Sequence, residues 1–95
     1  MATYLVERYL PGASLDTIEA AADRVRAAVQ ELNARGTAIR YLGSTFVPEE
    51  EACFCHFEGS SLDAVVAANE RAGVAFARVL AAVSVPGEPN ERNST

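Results

Sequence analysis

Between residues 15 and 34, five apolar side chains, Ile18, Ala22, Val25, Val29 and Leu32, recur at spacings of four, three, four and three. That rhythm places them in one stripe along a helix of 3.6 residues per turn, with polar and charged residues around the rest of its circumference. Such a helix has one face to bury, so its neighbours in the chain must supply an apolar surface. Ser14 stands before it as a capping residue, Asp16 and Glu19 lie near its start, where the helix dipole favours negative charge, and Gly36 follows as a stop.

The flanking segments read as strands. Residues 3–10 (TYLVERYL) are rich in aromatic and β-branched types and end at Pro11-Gly12, a turn signal. Residues 38–47 (AIRYLGSTFV) form a second strand with Gly43 as a bulge or a point of close approach. Pro48-Glu49-Glu50-Glu51 is a short acidic connection, read as a solvated hairpin tip, that leads to a third strand at 52–58 (ACFCHFE). After Gly59, Ser60 and Asp63 have the spacing of a capping box, and Leu62, Val65, Val66, Asn69 and Ala72 mark the inner face of a second helix ended by Gly73. A fourth strand is expected at 78–85 (RVLAAVSV). The order β-α-β-β-α-β predicts an α+β domain, a ferredoxin-like sandwich with two helices on one face of a four-stranded antiparallel sheet. Residues 1–85 make that domain, and the polar, Gly- and Pro-containing tail at 86–95 is expected to be disordered.

With 95 residues the chain has room for one core, and a domain so small gains stability by burying surface in a homodimer. The net charge is −5 and the basic residues are scattered singly, so the clustered positive footprint of a nucleic-acid binder is missing. The same acidity disfavours adhesion to anionic membranes, and no apolar run approaches the roughly 20 residues of a membrane span. Met1-Ala2-Thr3-Tyr4 shows neither the basic nor the apolar region of a secretory signal, so a cytoplasmic location is expected.

Alternation along the strands sorts candidate site residues between two faces. On strand three, Cys53, Cys55 and Phe57 point to the helix-covered core, while Phe54, His56 and Glu58 point to the open side. The two cysteines read as buried and reduced, being too few for a structural zinc site and poorly spaced for a disulfide. On strand one, Leu5, Glu7 and Tyr9 share one face, and Val6 and Arg8 the other. Setting the first group beside Phe54, His56 and Glu58 gives an amphipathic open face, too apolar to leave in water, which a second copy would cover. His56, the single histidine, is a candidate metal ligand or proton-transfer group, with Glu7 or Glu58 fixing its tautomer. Asn69 sits among apolar residues on its helix, so its amide must bond the following loop or meet a ligand. No nucleophile elbow, phosphate loop or dinucleotide fingerprint is present.

The segments Tyr4 to Gly12, Arg40 to Val47, Cys53-Phe54-Cys55 and Asn69 to Gly73 resemble a small bacterial domain-of-unknown-function family, common in actinobacteria, that includes a nickel-binding protein with a ferredoxin-like dimer fold. The resemblance implies the same fold, a homodimer and nickel as a cofactor. In the nickel-binding branch it also implies histidines at the end of strand one and at the start of the Asn69 segment, with a cysteine matching Cys55. This chain has Glu7, Arg8 and Asn69 at those places, and isolated carboxylate, guanidinium and amide groups are poor substitutes for imidazole toward nickel. The leading expectation is therefore a cytoplasmic homodimeric binding protein of unknown ligand, with a ligand site at Tyr9, Phe54, Glu58 and Asn69 and a residual metal site at Glu7 and His56. Two alternatives stand beside it. One is a cofactor-free enzyme, monooxygenase- or isomerase-like, with His56 as general base and Tyr9 or Asn69 orienting substrate. The other is a structural or interaction module.

Overall fold

Burial alternates along the first strand, with Tyr4, Val6 and Arg8 inside and their neighbours outside, and that alternation seats the strand at the centre of the sheet. The computed structural model describes residues 1–87. Its elements are β1 (Ala2–Tyr9), α1 (Leu15–Ala34), β2 (Ile39–Val47), a 3₁₀ turn (Pro48–Glu50), β3 (Ala52–Gly59), α2 (Leu62–Ala72) and β4 (Arg78–Ala82). All strand pairs are antiparallel, in the spatial order β2-β3-β1-β4. This is the ferredoxin-like α+β sandwich expected from the element order. No helix among the described residues is long and apolar enough to cross a membrane.

Helix α1 forms where its stripe demands. Ser14 caps it by accepting from the Thr17 N–H at 3.2 Å, and Ile18, Val25, Ala28 and Val29 are buried against the sheet. The opposing layer is Val6, Ile39, Cys53, Cys55 and Phe57, with Val65 and Ala68 arriving from α2. In β2 the pairing slips between Tyr41 and Gly43, and Gly43 adopts φ +136°, which only glycine takes without strain.

Four details differ from the expectation. The cap of α2 is Ser61, which accepts from Ala64 N–H at 3.1 Å; Ser60 is still held beside β2 by its N–H to Ala38 O at 3.0 Å, and the helix starts after Ser61. Ser61→Ala should therefore lower stability by about 1 kcal/mol and Ser60→Ala by a few tenths at most, measured by urea denaturation. Leu62 is 42 % exposed, and Ala64 and Ala68 take its place on the inner face. Strand β4 stops at Ala82, opposite Thr3, because β1 has almost run out of residues to pair; Val83 and Val85 continue beyond the sheet, exposed. Glu51 is no free hairpin tip: its carboxylate accepts from Gly12 N–H at 2.7 Å and from the Tyr9 hydroxyl at 3.4 Å, tying the β2–β3 turn to the end of β1. From residue 88 the expected disordered tail lies outside the described residues.

Candidate functional site

The sheet separates the predicted site residues into two groups. On the open face, the β1–β3 register sets Leu5 opposite His56 and Glu7 opposite Phe54, so Glu7, Tyr9, Phe54, His56 and Glu58 share one surface. Their polar groups are engaged at the edges. Glu7 accepts from Arg78 at 3.0 Å, Glu58 accepts from Arg40 at 3.0 Å, and Tyr9 points its hydroxyl to Glu51. His56 stays exposed in the middle. Asn69 is on the far side, fully buried beneath α2. The enzyme constellation of His56 with Asn69 is thus divided by the sheet itself.

Asn69 belongs instead to a buried polar cluster that strand alternation builds around Arg8. Arg8 follows Tyr4 and Val6 in the inward phase of β1 and is only 2 % exposed. Its guanidinium donates to Asn69 Oδ1, to the carbonyls of Val74 and Ala75 at 3.3 Å each, and through Nε to Cys55 Sγ at 3.3 Å. Asn69 completes its own bonding with Val65 O at 2.8 Å. The amide therefore does not reach the loop after α2 directly; the guanidinium does so on its behalf. No carboxylate contacts Arg8 among the described residues, so a permanent cation sits inside the core with only neutral oxygens and sulfur around it. A buried charge of that kind is costly unless every donor finds a partner.

Beyond Cys55 the cluster opens outward. Ser44 donates to Cys55 Sγ at 2.9 Å, Tyr41 and Ser44 share a hydroxyl hydrogen bond, and Cys53 Sγ lies 3.9 Å from Cys55 Sγ. Both cysteines are free thiols. Burial, reinforced by the neighbouring Cys55, pushes the Cys53 thiol up to about 11, and burial likewise raises the Tyr41 phenol. A void of about 10 Å³ lies between Arg8, Tyr41, Ser44, Cys53 and Cys55 and the apolar side chains of Leu10 and α1, a volume of about one water. Tyr41, Ser44, Ile18 and Ala22 also line a surface groove of about 680 Å³ between α1 and β2, so the thiols stand one side-chain layer behind an open groove. Sequence reasoning put Arg8 and the cysteines on the inner face but gave Arg8 no role; the signal was a charge at a core-phase position of a strand.

Fold and cluster together define a ferredoxin-like domain with a thiol and guanidinium interior and an uncovered sheet face. Residues 4–81 match the model of the nickel responsive protein SCO4226-like family, and the chain belongs to that family. The crystal structure of SCO4226 from Streptomyces coelicolor A3(2) is similar, with a TM-score of 0.76 at 21 % identity over 88 % of this chain and 100 % of that one. At that identity the likeness concerns the fold. No curated protein matches the chain.

Proposed function

We propose that this chain acts as a small cytoplasmic homodimeric binding protein, with the open sheet face as the seam between two copies. The observation that carries the reading is the surface itself. Leu5, Phe54 and Leu80, half-buried in the single chain, lie with the exposed His56 between the flanking pairs Glu7–Arg78 and Glu58–Arg40, a largely apolar centre with a rim of both charge signs. A two-fold pairing of such a face is self-complementary, because each rim can meet its own opposite.

The family description names nickel, and one chain alone does not fit that ion. No three His, Cys, Asp or Glu side chains gather as a metal site among the described residues. The inner position beside Cys55 is taken by a guanidinium, which cannot be a ligand. On the seam, His56 and Glu7 offer two donors, and two copies would offer four. A divalent ion held there binds weakly, since Glu7 has to leave Arg78. Light scattering after gel filtration should return twice the chain mass, and a monomer at all concentrations would overturn the seam. Calorimetric titration with nickel should show weak binding that His56→Ala abolishes. Tight binding unaffected by that change would place the metal elsewhere.

A further inference from the structure

The thiol pair behind the groove has a charge environment that selects one kind of metal. We propose that Cys53 and Cys55 bind a single soft monovalent cation, of which copper(I) is the biological example, with Arg8 as the built-in counter-charge. Two side chains of alternate residues on one strand face project the same way, and here both sulfurs border the void that also touches Arg8 and Ser44. Thiolates are soft ligands and favour copper(I) over hard or borderline ions.

Charge balance decides between metals. Binding breaks two S–H bonds and forms two sulfur–metal bonds, and two protons leave to solvent. A monovalent cation with two thiolates carries a net charge of minus one, which the adjacent guanidinium of Arg8 cancels in a buried site. A divalent cation with the same two thiolates is already neutral, and Arg8 would then stand as an uncompensated charge beside it. A divalent ion would also want more donors than two sulfurs, and only the hydroxyls of Ser44 and Tyr41 are at hand. Low coordination and a fixed positive neighbour therefore both favour the monovalent ion.

Distances agree. Two metal–sulfur bonds of about 2.3 Å, the zinc–thiolate length, span at most about 4.6 Å when collinear. The sulfurs stand 3.9 Å apart, somewhat short of the near-collinear span that two-coordinate copper(I) prefers, so small side-chain rotations of the two cysteines would bring them to it without moving the strand. Arg8 Nε and Ser44 Oγ already donate to Cys55 Sγ and would orient that ligand from outside the metal. The groove between α1 and β2 gives the access route, with the Tyr41–Ser44 hydrogen bond as its last barrier.

The test is an anaerobic competition with the coloured copper(I)–bicinchoninate complex. The wild-type chain should remove one copper(I) per chain from it. Cys53→Ser and Cys55→Ser should each abolish uptake, and Arg8→Leu, which offers no ligand atom, should weaken it at least about tenfold through the lost counter-charge. X-ray absorption at the copper edge of the loaded wild-type protein needs no variant and should show two sulfur neighbours. Failure of the wild-type chain to compete, or a nitrogen and oxygen shell at the copper, would overturn the proposal. Equal affinity in Arg8→Leu would overturn the charge argument on which it rests.

Discussion

Arg8→Met should lower the free energy of unfolding by about 3 kcal/mol. Methionine follows the arginine stem closely, so the loss is polar rather than a large cavity. Asn69 Oδ1, Val74 O, Ala75 O and Cys55 Sγ would all lose a donor inside the core. A buried acceptor left without a partner costs about 1–3 kcal/mol, and Ala75 O, which is less enclosed, costs least. Relief from holding a bare cation in the interior offsets part of that sum. Arg8→Lys should be nearly as harmful, because a single ammonium cannot reach three oxygens and a sulfur in one plane. Urea denaturation of Arg8→Met, Asn69→Leu and the double variant separates the contributions. The two changes should couple by more than about 1 kcal/mol, since the second removes an acceptor that the first leaves orphaned. A neutral or stabilising Arg8→Met would mean that the cluster contributes nothing net to stability.

The contrast between Arg8 and the stripe on α1 shows what local pattern can reveal. Ile18, Val25 and Val29 announce their burial because helical periodicity repeats within the chain itself. Strand alternation likewise placed Glu7, Tyr9, Phe54 and His56 on one surface, and the observed register keeps them there. The bond from Arg8 to Asn69 joins residues 61 positions apart, and nothing in either neighbourhood indicates the other. Each was visible as a polar residue in a core phase, an unpaid polar burial whose partner only the packing of α2 over β1 could supply. The choice of Ser61 over Ser60 has the same origin. Both serines can cap a helix, and a long-range backbone bond from Ser60 to Ala38 settles which one does.

Phe54→Glu is the second change with a large expected effect, and it acts on assembly rather than on folding. Phe54 lies on β3, an inner strand, between Glu7 on one side and Thr45 on the other, at the middle of the open face. In the proposed two-fold seam the position meets its own neighbourhood from the second copy, so one substitution would introduce two carboxylates into the apolar centre. Glu7 and Glu58 share the same face, and their arginine partners are already engaged with them. Loss of a central aromatic anchor together with buried like charges should weaken dimerisation at least about a hundredfold. The monomer itself should remain folded, because Phe54 is absent from the core formed by Phe57, Cys53 and Cys55. Sedimentation velocity across a concentration series, with circular dichroism as the folding control, reads both quantities. A Phe54→Glu chain that sediments as the wild-type chain does would overturn the proposed seam on this face.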